Sequence, residues 1–166
     1  MGCENKYVKQ EILIIKRRCI FTDWKQEAIE KLKEYSLKKN SIATLTDEIR
    51  ELQSRRRSIQ SSGSDGMPVS GGTNRREDML TGTIVRQKEL EENLRVVSRW
   101  VKRVEAGLAA LDEKERCILE RFYIHPEKNA ADRLAMDFGI DVKTVYYRKN
   151  IAVIRFTKAL YGITEI

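Results

Sequence analysis

The chain has 166 residues, of which 41% are hydrophobic and 34% are charged, with only two prolines and nine glycines. So much charge with so few helix breakers favours a mostly helical protein with much exposed helix surface. The net charge of +7 is compatible with nucleic acid, a ribosomal partner or a membrane surface. The three cysteines (Cys3, Cys19 and Cys117) are scattered without disulfide or metal spacing, so we expect reduced thiols, no metal site and no cofactor.

No segment has the pattern of a targeting signal or a membrane span. The apolar run from Ile12 to Ile15 is ended at once by the basic residues 16–18, so it cannot cross a bilayer. We therefore expect no membrane partner and a cytoplasmic location.

The first half of the chain predicts a long amphipathic helix. Residues 1–23 mix basic and apolar side chains, and we expect a short helix or strand there, or a contact arm. Asp23 can cap the start of the long helix. Apolar residues then recur at seven-residue steps, which is typical of a coiled-coil seam: Ala28, Tyr35, Ile42 and Ile49.

A Gly/Ser-rich loop at residues 61–75 separates this helix from a second one, predicted from about Arg76 to Leu111. The second seam contains Leu94, Val97, Val101, Val104, Leu108 and Leu111, and Gln87 and Glu91 interrupt it upstream. Residues 24–110 could fold back as an antiparallel hairpin, or each helix could pair with a second molecule as a homodimer. The sequence leaves both arrangements open.

Residues 111–166 have the spacing of a helix-turn-helix preceded by a supporting helix at 112–124. A short helix has its apolar face at Ala131, Leu134, Ala135 and Phe138. Gly139 can take the positive φ of a helix stop, and Asp141 can cap the next helix. We expect the inner side of that helix to contain Val142, Val145, Ala152 and Phe156. The predicted fold is therefore all-α: a long helical hairpin or coiled coil followed by a helix-turn-helix domain.

Two resemblances follow from these residues. The C-terminal part of the chain resembles region four of sigma-70-type factors, which reads promoter DNA. This resemblance covers the opening at 111–116, the turn at 138–141 and the helix at 142–160. The whole chain resembles the ArpU-type phage transcriptional regulators, through its long helices, the loop at 65–72 and the ending at 156–162. The resemblance implies a phage or prophage activator of late genes, acting on double-stranded DNA with host RNA polymerase in a bacterial cytoplasm.

The candidate DNA-binding residues follow the turn: Val142, Lys143, Thr144, Tyr146, Tyr147, Arg148 and Lys149. The resemblance implies this role for all of them except Thr144 and Arg148. Arg148 stands where the sigma helix has an apolar residue, which leaves the rotation of the helix open. Residues 141–166 contain five basic side chains, including Arg155, against two acidic ones, a net charge of +3 that suits phosphate contact. We expect one of Tyr146 and Tyr147 to be buried and the other exposed.

Two alternatives compete with a transcription regulator. A small-terminase-like subunit that recognises phage DNA for packaging would also join a helix-turn-helix to oligomerising helices. An interaction protein could instead bind polymerase through the long helices without reading DNA. We do not expect an enzyme, because no nucleophile–base pair, carboxylate constellation or metal spacing is visible in the sequence.

Overall fold

The structure is a computed structural model that describes the backbone of residues 4–61 and 73–162 and the side chains of residues 23–61 and 76–162. Over these residues it is all-helical and contains no strand, which confirms the predicted fold class. Most of the loop predicted at residues 61–75 lies outside the described residues. None of the described helices combines the length and apolar character needed to cross a membrane.

The two long helices are α1 (Glu4–Ser61) and α2 (Thr73–Ala109). The prediction that a helix begins at Asp23 was wrong, because α1 already includes the preceding residues. A capping side chain starts a helix only where the residues before it leave the helical conformation, and no Pro or Gly precedes Asp23 closely enough to impose this. The bounds of α2 agree with the predicted second helix to within three residues.

The chain divides into two compact units, and the unit of residues 37–101 is a pair of helices. Lys38 places its ammonium 4.2 Å from the centre of the Trp100 ring. At the other end of the pair, Arg76 donates to the carbonyl of Ile59. From the first contact to the second, the residue number increases along α1 and decreases along α2. The two helices are therefore antiparallel in this unit.

The seam of this helix pair is interrupted by polar residues, as the sequence predicted. Ile49, Leu90 and Val101 are buried. Gln87 is buried among them and donates to the Glu91 carboxylate at 2.6 Å. The side-chain oxygen of Gln87 has no hydrogen-bond partner among the described residues. Such a group costs free energy when it is kept from water, so Gln87 weakens the seam locally.

The other unit consists of residues 1–36 and 102–166, so parts of α1 and α2 pack with the C-terminal helices. The latter are α3 (Glu113–Leu119), continued by a π-helical turn (Glu120–Ile124), then α4 (Ala130–Phe138) and α5 (Val142–Tyr161). The core of this unit includes side chains with no exposed surface: Ala28, Leu32, Val104, Ile118, Leu119, Leu134, Val145, Ala152 and Phe156.

The end of α5 is held by aromatic and polar contacts to α1 and α2. The Tyr161 ring stacks on Trp24, with centroids 5.7 Å apart. Lys31 donates to the Tyr161 hydroxyl at 3.2 Å. From α2, Arg103 donates to the carbonyl of Leu160 at 3.2 Å. These contacts fix the C-terminal turn of α5 within the unit.

Gly107 allows α2 and α5 to approach closely. A Cβ atom at Gly107 would lie 2.8 Å from the Phe156 ring, which is closer than carbon atoms pack. The Phe156 side chain is fully buried, so it has little room to move away. A glycine is needed at this position for its missing side chain rather than for its backbone freedom.

We expect Gly107→Ala to lower the free energy of unfolding by about 1–2 kcal/mol. Overpacking of a core costs about 1–3 kcal/mol, and the better helix propensity of alanine recovers up to about 1 kcal/mol. Gly82→Ala is the matched control, because Gly82 lies in the same helix and a Cβ there meets nothing within 4 Å. Gly82→Ala should raise stability by about 0.5–1 kcal/mol. Equal stability of the two variants in urea unfolding would contradict the close approach.

Candidate nucleic-acid interface

The supporting helix changes its winding midway. The predicted helix at 112–124 begins as expected after Asp112, whose carbonyl accepts the N–H of Arg116 at 2.9 Å. From Glu120 onward it becomes a π-helical turn, in which His125 donates to the carbonyl of Glu120 at 2.7 Å. A π turn adds a residue to the helical repeat and rotates the side chains within it. Phe122 lies in this turn.

Three fully buried side chains form the centre of the helix-turn-helix: Ile118 from α3, Leu134 from α4 and Val145 from α5. Partly buried residues that pack around them are Cys117, Phe122, Ala135, Phe138 and Ile140. The predicted apolar face of α4 and the predicted inward position of Val145 are therefore confirmed. Cys117 has the packing role of a small apolar residue.

The turn between α4 and α5 has the hydrogen bonds of a Schellman motif. Gly139 has a φ of 61° and donates to the carbonyl of Met136 at 3.3 Å. Ile140 donates to the carbonyl of Ala135 at 3.0 Å, and the two side chains pack on the same cluster. This geometry satisfies the last carbonyls of α4 and confirms the helix stop predicted at Gly139.

Asp141 caps α5, as its position in the sequence predicted. Its carboxylate accepts the Thr144 backbone N–H at 2.9 Å and the Thr144 hydroxyl at 2.6 Å. These hydrogen bonds hold the pKa of the Asp141 carboxyl below its ordinary value of 3.8. Thr144 is half-buried and donates its hydroxyl to the cap, so the structure gives it a role in starting α5.

The first half of α5 presents one face to solvent. Its exposed polar and aromatic side chains are Lys143, Tyr146, Tyr147 and Asn150. On the opposite face Val145, Ala152 and Phe156 are fully buried, as predicted. Val142 is 36% exposed, so its predicted inward position was wrong. It begins the helix three residues before Val145, at the edge of the buried face.

The prediction that one of the two tyrosines is buried was wrong, because Tyr146 is 47% exposed and Tyr147 is 67% exposed. Val145 lies at the centre of the buried face. Each further residue turns by about 100°, which places both tyrosines beyond that face. Tyr146 contacts Phe122 from the side, with centroids 5.9 Å apart. Tyr147 has the more open position of the two.

Lys149 lies against aromatic rings at the edge of this face. Its ammonium is 5.0 Å from the centres of both the Phe122 ring and the Tyr146 ring. Burial lowers the pKa of Lys149, and repulsion from Lys25 on α1 lowers it further. Arg148 is also half-buried, so it does not belong to the fully open part of the surface.

Arg155 does not add to the basic surface that the sequence suggested. It donates to Glu115 at 2.7 Å and approaches Asp112 to 3.5 Å, so it connects α5 to the start of α3. Sequence reasoning also missed Asn150, whose exposed amide lies one turn beyond Tyr146 and Tyr147. The helical spacing of Asn150 from Lys143, seven residues, could have indicated that both share a face.

Among the described residues, no group of three or more His, Cys, Asp or Glu side chains could hold a metal ion. An open pocket of about 330 Å³ lies beside Tyr146, between the π turn and the start of α4. Its lining includes Arg121, which is paired with Asp137 at 2.6 Å. The main feature of this interface is therefore the exposed face of α5, which carries charged, aromatic and amide side chains.

Comparison with known proteins gives no relative: no protein-family model matches the chain, and no curated protein or solved structure is significantly similar to it.

The Asp141 cap predicts a pH-dependent contribution to stability. Because the folded-state pKa is lowered, the contribution is present above the unfolded-state pKa and is lost as the pH falls through the folded-state value. Asp141→Ala should therefore lower the melting temperature by a few degrees at pH 7. Below about pH 4, the difference in melting temperature between the variant and the unsubstituted protein should become smaller. Asp78→Ala, an exposed carboxylate that caps no helix, is the control. A difference in melting temperature that does not change with pH would contradict the capping role.

Proposed function

We propose that this chain is a sequence-specific regulator of transcription that binds double-stranded DNA, with the first half of α5 as its recognition helix. The observation that carries the proposal is the exposed face of Lys143, Tyr146, Tyr147 and Asn150 on a helix whose opposite face is buried in a helix-turn-helix. A major groove admits one α-helix, and a reading helix must leave one face free for base edges.

The side chains on this face suit the chemistry of DNA. A lysine can contact phosphate or the guanine edge, and an asparagine amide can pair with the adenine edge. Tyrosine offers a hydroxyl to phosphate and a ring to the thymine methyl. Lys143 and Asn150 are seven residues apart on α5, about 10 Å along the axis, so they can reach bases about three steps apart.

The finer proposal, a phage or prophage activator of late genes that acts with host RNA polymerase, rests on the resemblance to ArpU-type regulators. What supports it within the chain is the sequence of the loop at 65–72 and of the ending at 156–162. We retain the small-terminase-like subunit and the polymerase-binding protein as competitors. A ring of many subunits in light scattering would favour packaging, whereas a monomer or dimer would favour regulation.

We expect Lys143→Glu to weaken binding to a specific duplex at least about tenfold, because a lost base or phosphate contact is worth about 1–3 kcal/mol and a carboxylate adds repulsion. Fluorescence anisotropy with fragments selected from a random-sequence library would measure the affinity. Lys33→Glu, on the exposed side of α1, makes the same charge change away from the proposed helix face. Equal loss in both variants would mean that only net charge matters, and no loss in Lys143→Glu would reject DNA reading by α5.

Asn150→Ala separates base reading from general attraction. Its neutral amide contributes little to phosphate attraction, so affinity for a shuffled duplex should stay within about twofold of the unsubstituted protein. Affinity for the selected sequence should fall about five- to a hundredfold, the range of one bidentate base contact. Ser98→Ala, a neutral substitution on α2, is the control. A parallel loss on both duplexes would show that Asn150 does not read a base.

A further inference from the structure

The two adjacent tyrosines on the exposed face of α5 differ in their surroundings. The Tyr146 ring lies 5.9 Å from the Phe122 ring, measured between centroids. The Lys149 ammonium is 5.0 Å from the centres of both of these rings. Tyr147 makes no ring or cation contact with any residue that the structure describes. Both tyrosines are exposed, but only Tyr146 has neighbours that hold its ring.

The neighbours of Tyr146 are themselves fixed by the fold. Phe122 belongs to the π turn and packs, partly buried, on the apolar centre of the helix-turn-helix. Lys149 follows Tyr146 by three residues on α5, so the two side chains are neighbours on the helix surface. The orientation of the Tyr146 ring therefore depends on contacts that exist before any ligand binds.

The hydroxyl of Tyr146 is free to bind a ligand. The side chain is 47% exposed although its ring is packed, and a tyrosine in such a position presents its polar tip to water. Its hydroxyl makes no hydrogen bond with the described residues. Two other tyrosines of the same unit use theirs internally. Tyr35 donates to Glu105 at 2.8 Å, and Tyr161 accepts from Lys31 at 3.2 Å.

The charge beside the Tyr146 ring favours an anionic ligand. Lys149 makes no ion pair in the part of the chain that the structure describes, so no described carboxylate neutralises its charge. An uncompensated cation next to the ring attracts an anion to the hydroxyl. A hydrogen bond from a hydroxyl to an anionic oxygen is also stronger than one to a neutral acceptor. In DNA that oxygen belongs to a backbone phosphate, which tyrosine hydroxyls commonly contact.

We propose that the Tyr146 hydroxyl binds a phosphate of the DNA backbone and that Phe122 is the positioning residue that holds its ring. This inference rests on the proposed function, which it deepens by giving Tyr146 a task that Tyr147 does not share. Ordering a side chain on binding weakens affinity, so a ring that is already in place binds more tightly. A backbone contact reads no base, so it contributes equally to any duplex.

The first test compares Tyr146→Phe with Tyr147→Phe in the full chain, by fluorescence anisotropy with a selected and a shuffled duplex. Tyr146→Phe removes only the hydroxyl and should weaken binding to both duplexes about three- to tenfold, the range of one hydrogen bond. Tyr147→Phe makes the same change at the neighbouring position and should have the smaller effect on the shuffled duplex. An equal or larger loss in Tyr147→Phe would overturn the assignment.

The second test asks whether Phe122 acts through Tyr146. Phe122→Leu keeps an apolar side chain in the core but removes the ring, and it should weaken binding to both duplexes about two- to tenfold. When Tyr146→Phe is already present, Phe122→Leu should cause no further loss. Phe122→Tyr keeps a ring and should keep the affinity.

Phe138→Leu is the matched control, because it makes the same change at another ring of the same apolar cluster. Any loss that it causes should be the same with and without Tyr146→Phe. If Phe122→Leu behaved in that way too, its role would be structural and the positioning would be rejected.

The outcomes separate this inference from the proposed function. If the unsubstituted protein binds neither duplex, both are rejected. If it binds and Tyr146→Phe keeps the full affinity, only the phosphate contact is rejected. A further measurement does not need the Phe122 variant: NMR relaxation of the tyrosine rings in the free protein should show a more restricted ring for Tyr146 than for Tyr147. Equal mobility of the two rings would overturn the positioning even if Phe122→Leu failed to fold.

Discussion

The contact among Ile118, Leu134 and Val145 sets the orientation of α5, because one fully buried side chain from each of three helices meets there. Val145 lies only four residues after the Asp141 cap, so the contact fixes the rotation of α5 within its first turn. Everything on the outer face follows from that rotation. If Val145 were turned outward, Lys143 and Tyr147 would no longer point away from the core. The buried valine and the exposed side chains are therefore two results of one packing constraint.

Because of the π turn, the supporting helix contacts the exposed face of α5 as well as the core. The π turn brings Phe122 against Tyr146 while the preceding turn still packs Ile118 into the core. Lys149 then lies over both rings, which replaces part of the hydration that the ammonium loses on burial. An ordinary α-helical turn would point the phenylalanine elsewhere. The irregular winding is thus what connects the supporting helix to the edge of the exposed face.

The local features of the helix-turn-helix could be predicted because each depends on residues close in sequence. Gly139 and Asp141 have backbone roles that follow from their own chemistry. The partner of Arg155 could not be predicted, because it depends on how α5 meets the start of α3, about forty residues earlier. The burial of Tyr146 and Tyr147 was misjudged because helical spacing alone does not locate the centre of the buried face.

The stacking of Tyr161 on Trp24 has a consequence for how α5 can change in evolution. The helix is unbroken from Val142 to Tyr161, so its two ends turn together as one rod. One end is held by Tyr161 and the other by Val145. Deleting a single residue between them would rotate one end by about 100° relative to the other, and both attachments could not persist. A change of a whole turn would keep the rotation but would move Tyr161 about 5 Å along the axis, away from Trp24. The length of α5 should therefore be conserved more strictly than the identity of most residues between its two attachments.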